Sequence, residues 1–216
     1  MENNSEDLNR FQIIRKDAKG CFVETKSDCF GIGKVHLEFA TYDAGRSKGQ
    51  RQTNHVHIYI DIPAFLHLAH EALSGALHHR MMQQKAKLEK AEQEKSQIEN
   101  PPLYENLGGT SSERLAKFDK TRPDGKSLSR IVKLLAWKGK VDYLFTADSG
   151  PGETNATGLI VPKFGRSPEN HVSVGMTWRT LNELLLTTQV NYSAWLAAQY
   201  VKNPEPQWSN GWNGHA

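Results

Sequence analysis

Cysteine is nearly missing: Cys21 and Cys29 are the only two in a chain of 216 residues. Two cysteines build neither a disulfide framework nor, by themselves, a four-ligand zinc site. They leave one hairpin bridge or two free thiols. The opening Met1-Glu-Asn-Asn-Ser-Glu-Asp7 lacks the basic-then-apolar order of a signal peptide, so free thiols in a cytoplasmic protein are expected. No apolar run approaches 18 residues, which excludes an apolar membrane-spanning helix. The P-loop, the dinucleotide fingerprint, G-x-S-x-G and H-E-x-x-H are all missing, so no cofactor and no catalytic triad is implied. Charge of one sign is scarce too. Twenty-seven Lys and Arg against 24 Asp and Glu leave +3, too little to name a partner.

What is present is a globular composition on the polar side, with 38% hydrophobic residues and a mean hydropathy of −0.62. Positive charge is clustered rather than abundant. Arg114, Lys117, Lys120, Arg122, Lys126, Arg130 and Lys133 face only Glu113, Asp119 and Asp124 in the same stretch. Arg46, Lys48 and Arg51 have no acid between them. Clusters of this kind point to a polyanion, most often nucleic acid.

Period-two alternation marks half-buried strands. From Lys34 to Tyr42 the residues Val35, Leu37 and Phe39 form an apolar face. From His55 to Asp61 that face is Val56, Ile58 and Ile60, opposite His55, His57 and Tyr59. Pro63 then opens a helical pattern through Phe65, Leu66, Ala69, Leu73, Ala76 and Leu77, which continues past Met81 and Leu88 to about Gln97. One helix of that length spans about 50 Å. Its charged second half, from Lys85, is expected to stand in water and offers a surface for homo-oligomers. Residues 100–127 read as a linker, with Gly108-Gly109, Pro123 and Gly125. Strands resume at Leu128, where Val132, Leu134 and Ala136 oppose Ile131, Lys133, Leu135 and Trp137. Further strands follow over 141–148, 158–164 and 170–176, with a turn expected at Ser149-Gly-Pro-Gly152. Thr177 caps a helix to about Tyr200, with Leu181, Leu184, Leu185, Val190 and Leu196 on its apolar side.

The expected fold class is therefore α+β: two antiparallel sheets, each followed by a helix. The expected division is an N-terminal extension (1–19), a first strands-plus-helix unit (20–99), a linker (100–127), a second unit (128–200) and a mobile tail (201–216). At an offset of 116, Gly49-Gln-Arg-Gln-Thr-Asn-His-Val56 lies over Gly165-Arg-Ser-Pro-Glu-Asn-His-Val172, and four of eight positions coincide. The strand-to-helix switch falls at the same offset, so an internal duplication with pseudo-twofold symmetry is expected.

Gly158-Leu-Ile-Val-Pro-Lys-Phe-Gly-Arg166, followed by Val172-Ser-Val-Gly-Met-Thr-Trp-Arg-Thr-Leu181, resembles the single-stranded-DNA-binding domain of the transcriptional coactivators of the positive cofactor group. Gly45 to Leu73 follows the same outline. Two such units in one chain resemble the plant Whirly proteins. The resemblance spans roughly residues 30–75 and 128–195. It implies curved sheets, helices that pack the halves together, and single strands of DNA crossing the sheet faces.

Single-strand binding needs cations for phosphates and aromatic faces for bases, each stacked base being worth about 1–3 kcal/mol. The candidate residues are Tyr42, His57 and Tyr59 with the basic turn Arg46, Lys48 and Arg51 in the first half. In the second half they are Lys133, Trp137, Lys138 and Lys140, then Lys163, Phe164 and Arg166. The partner is single-stranded DNA before RNA, with little sequence preference and no membrane. His55 and His57 share a strand face, but only Asp61 offers a carboxylate at ligand spacing along the chain, so no metal is expected. Two rival functions are carried forward. His171-Val-Ser-Val174 fits the H-φ-[ST]-φ motif of two-histidine phosphoesterases, with His55 and His171 as acid and base, although His57 replaces the first hydroxyl. A coiled-coil scaffold built on the long helix is the other.

Overall fold

The computed structural model describes residues 10–47 and 49–202. Four strands open the chain: β1 (Gln12–Ala18), β2 (Cys21–Lys26), β3 (Lys34–Tyr42) and β4 (Gln52–Asp61). They pair antiparallel in chain order as sheet 1. Helices α1 (Ile62–Leu73) and α2 (Ala76–Gln93) follow. Next come β5 (Tyr104–Thr110), the short α3 (Ser112–Ala116), β6 (Ser127–Ala136), β7 (Tyr143–Thr154), β8 (Ile160–Pro162), β9 (Asn170–Met176) and α4 (Trp178–Lys202). Sheet 2 runs β5-β6-β7, and the far edge of β7 is shared by β9 along its first part and β8 along its last. The architecture is α+β, with two antiparallel sheets and a helix after each.

Alternation decides which face of each sheet turns inward. Val35, Leu37, Phe39, Val56, Ile58 and Ile60 from sheet 1 meet Val132, Leu134, Phe145, Val172 and Val174 from sheet 2. Phe39 and Phe145 touch edge to face, with centroids 5.0 Å apart. Phe65 and Leu68 of α1 and Leu181, Leu184 and Leu185 of α4 complete one continuous core. The buried Thr25 and Thr188 hydroxyls bond at 2.7 Å, tying sheet 1 to α4. The β9 edge lies against sheet 1, where Cys21 Sγ donates to the Ser173 carbonyl and Asn54 Nδ2 to that of His171. Thr177 caps α4 through its hydroxyl, which accepts from the Thr180 amide. Both cysteines are free. Among the described residues no helix is long and apolar enough to cross a membrane.

The structure departs from the sequence expectations in several places. The 35-residue helix is two helices, because Gly75 takes a φ of +80°, a region most side chains avoid. The chain bends there, and α2 packs back on the β6–β7 hairpin. Lys85 does not stand in water: its side chain is 14% exposed, and it donates to the Gly139 carbonyl and pairs with Asp142 at 2.9 Å. Met81 is buried within the chain itself.

The stretch 100–127 contains β5 and α3, and the extension before residue 20 contains β1. Ser149-Gly-Pro-Gly152 is strand, not turn. Its glycines serve close approach. A Cβ at Gly150 would stand 2.8 Å from Phe164 Cδ1, and one at Gly152 would stand 2.8 Å from Ile160 Cγ2. Val190 is exposed, and the outer part of α4 packs instead through Tyr192 and Trp195 on Phe30. The tail beyond Lys202 lies outside the described residues.

Candidate nucleic-acid interface

The core takes the inner faces of both sheets, apart from a cleft of about 270 Å³ where Tyr59 and Asp61 of sheet 1 meet Arg130 and Ile160 of sheet 2, and the predicted site residues fall mainly on the outer faces. The pairing registers fix what stands there. On sheet 1, Glu24 lies beside Glu38, Glu38 beside His57, and His36 beside Tyr59. On sheet 2, Lys133 lies beside Glu105 and Thr146, and Asp148 lies between Ile131 and His171.

Each outer face carries an open cleft. That of sheet 1 has a volume of about 480 Å³, and its lining includes Arg15, Phe22, Glu38, Arg51, His55 and His57. That of sheet 2 has about 540 Å³ and is lined by Ile131, Lys133, Asp148, Phe164, Arg166 and His171. Lys133, Phe164 and Arg166, drawn from two distant segments of the chain, thus share one cleft. Trp137 continues the same face of β6 from Lys133, about 13 Å further along at 3.3 Å per residue. It is 39% exposed and closes the hairpin through its amide, which donates to the Asp142 carbonyl. Lys138 and Lys140 sit in that hairpin turn. The result on sheet 2 is a row of aromatic and cationic side chains from Arg166 and Phe164 through Lys133 to Trp137.

The other candidates are less open. Tyr59 stacks on His36 with centroids 4.7 Å apart, and the Arg130 guanidinium lies 5.6 Å from its ring centre. Tyr42 leans on Phe22, and Phe22 is itself covered by the Arg15 guanidinium at 3.6 Å. Several cations have acidic partners: Lys133 pairs with Glu105, Lys138 with Glu92, Lys163 with Glu153 and Arg46 with Asp43. Arg51, Lys140 and Arg166 have no acidic partner among the described residues. Lys48 lies outside the described residues. Arg122, from the long basic stretch, is spent on Asp124 and Glu169 and fixes a loop.

Sheet 1 also holds a polar network that no linear motif announces. Both oxygens of Asp28 meet His36 Nδ1 at 3.0 Å, and His36 Nε2 meets His57 Nδ1 at 2.8 Å. His55 Nε2 bonds Glu38 Oε1 at 2.8 Å, while Lys26 holds the other Glu38 oxygen. Burial disfavours the Glu38 charge, yet the hydrogen bonds from His55 and Lys26 outweigh it and bring the carboxyl down to about 2. Burial and the neighbouring His55 and His36 hold the His57 imidazole down to about 4, so it is neutral at pH 7. In sheet 2 the matching contact is simpler: His171 Nδ1 bonds Asp148 at 2.6 Å, on an exposed surface.

His55 and His171 line separate clefts, each held by its own carboxylate. Sequence reasoning missed Arg15, Glu38 and Asp148 as members of these clefts. Only the strand register brings them there, and register has no local signature. Comparison of the chain with protein-family models, with curated proteins and with solved structures finds no match.

Proposed function

We propose that the chain binds single-stranded nucleic acid, DNA before RNA and with little sequence preference, chiefly across the outer face of sheet 2. One observation carries this reading: Lys133, Phe164 and Arg166 line a single open cleft, and an exposed Trp137 stands four residues along from Lys133. Phosphates pair with the cations, and bases stack on the Phe164 and Trp137 rings. Unpaired bases, unlike those of a duplex, have free faces to offer these rings. The sheet 1 cleft, which Arg15 and Arg51 both line, supplies a second and weaker contact.

The reading includes a duplicated, Whirly-like arrangement of two strands-plus-helix units. In its support, both halves run antiparallel strands directly into a helix, and both last strands carry a histidine bonded to a carboxylate of the neighbouring strand. The two contacts differ in detail. Asp148 stands directly across from His171, whereas Glu38 stands across from His57 and reaches His55 diagonally. The phosphoesterase reading needs both histidines in one site, and their separate clefts favour binding over it.

The test is fluorescence anisotropy of labelled single-stranded DNA, duplex DNA and single-stranded RNA at two salt concentrations. Single-stranded DNA is expected to bind tightest, with log K falling against log salt at about −0.7 per phosphate neutralised. Equal affinity for duplex, or a flat salt response, overturns the proposal.

A further inference from the structure

The outer face of sheet 1 gathers metal-ligand chemistry from two strands. Glu38 projects from β3, and His55 and His57 project from β4 on the same face. One donor atom from each lies within 4.8 Å of the other two. His55 Nε2 and Glu38 Oε1 are already 2.8 Å apart. Donors held at about 2.1 Å by one tetrahedral ion stand about 3.4 Å from each other, so this pair needs to open by only about half an ångström.

Support for the ring positions is also present. Metal-bound imidazoles are commonly oriented by further carboxylates and hydrogen bonds, and loss of that support typically costs 10–100-fold in affinity. Here Asp28 grips His36 through Nδ1, and His36 in turn meets His57 Nδ1 at 2.8 Å. The three residues border a cleft of about 480 Å³, ample for an ion and its water. Lys26 remains on Glu38 Oε2 and on Glu24 at 3.0 Å. Its charge opposes a dication, while Glu24 offsets part of that charge.

We propose that Glu38, His55 and His57 bind a divalent transition-metal ion of the zinc class, with water from the cleft in the fourth position. Two imidazoles and one carboxylate suit zinc or cobalt, whereas calcium and magnesium require more oxygen ligands. Asp28 and His36 are positioning residues. This site stands independently of nucleic-acid binding, and its readout is the metal itself.

The experiment uses the full chain, stripped with chelator, freed of it, and titrated with zinc chloride by calorimetry and with cobalt chloride by visible absorption. One saturable equivalent is expected, with cobalt d–d bands. His55→Ala, His57→Ala and Glu38→Gln are each expected to weaken uptake at least tenfold, and Asp28→Asn to weaken it about 10–100-fold. His70→Ala, on the exposed face of α1, is expected to leave it unchanged. Circular dichroism establishes that each variant is folded. His55→Ala keeps the test decisive should His57→Ala fail to fold, because His55 is the more exposed of the two. No saturable uptake by the parent chain overturns the site. So does equal uptake by the parent, His55→Ala and Glu38→Gln, which identifies adventitious surface histidines.

Discussion

The outer faces of the two sheets are built from similar residue types and put them to opposite use. On sheet 1 most of the aromatic rings and charges, Arg51 excepted, are occupied by one another: Arg15 covers Phe22, His36 and Arg130 flank Tyr59, and Lys26 and His55 share Glu38. On sheet 2 the half-buried Phe164 ring packs against Gly150, Trp137 stands exposed, and Arg166 has no acidic partner among the described residues. A face whose polar groups are mutually satisfied has little to gain from a flexible anionic partner. A face with open rings and open cations gains both stacking and charge neutralisation. The distinction lies in packing and hydrogen bonding, not in composition.

The largest expected effects separate these faces directly. Trp137→Ala and Phe164→Ala should each lower affinity for single-stranded DNA by about 1–3 kcal/mol, the worth of a stacked base. Tyr59→Ala should leave affinity within a few-fold, since its ring is already covered, and should instead lower the melting temperature. A Tyr59 variant that loses binding as severely as the Trp137 variant would erase the contrast.

The seat beneath Phe164 gives the next test. Gly150→Val places a side chain where Phe164 Cδ1 stands 2.8 Å from the position of a Cβ. Overpacking of this kind costs about 1–3 kcal/mol and should appear as a lowered urea midpoint, with DNA affinity falling alongside as the ring is displaced. Unchanged stability and affinity would show that Phe164 is not held there.

Sheet 1 should reveal its network through pH rather than through DNA. The His57 value in the fold lies below the ordinary histidine value, so the unfolded chain takes up its proton first. Stability from this group is whole above about 6.5 and drains away as pH falls toward about 4. In metal-free buffer the loss should be about 3 kcal/mol, or about 6–12 °C in melting temperature. His57→Gln should flatten that part of the profile. An identical pH profile in the variant would remove His57 from the network.

The smallest effects belong to single cations. Arg166→Ala and Lys140→Ala should each reduce the salt slope by about 0.7 with a modest loss of affinity. Lys138→Ala and Lys163→Ala, whose ammonium groups already have carboxylate partners, should change the slope less.

The strands with clean alternation were legible from sequence because one buried face leaves a period of two. Val35 to Phe39, Val56 to Ile60 and Val132 to Ala136 all turn inward as their spacing requires, which placed His57, Tyr59 and Lys133 on the outer faces correctly. Strand β5 was hidden because Gly108-Gly109 imitates a loop, when Gly109 is needed for the backbone and Ile160 to approach. The break at Gly75 was hidden because apolar spacing continues across it from Leu73 to Leu77. Most of the site was illegible for a different reason. The joining of Glu38 to His55, and of Phe164 to Lys133, depends on strand register and on a returning loop, and neither leaves a trace in the local residue pattern.

The most direct measurement of where nucleic acid lies is photo-cross-linking of a bromodeoxyuridine-substituted single strand to the full chain, read out by peptide mass spectrometry. The account predicts cross-links at Phe164 and Trp137, on the outer face of sheet 2, that salt weakens and unlabelled single strand competes away. Cross-links confined to the outer face of sheet 1, with sheet 2 unmarked, would contradict it.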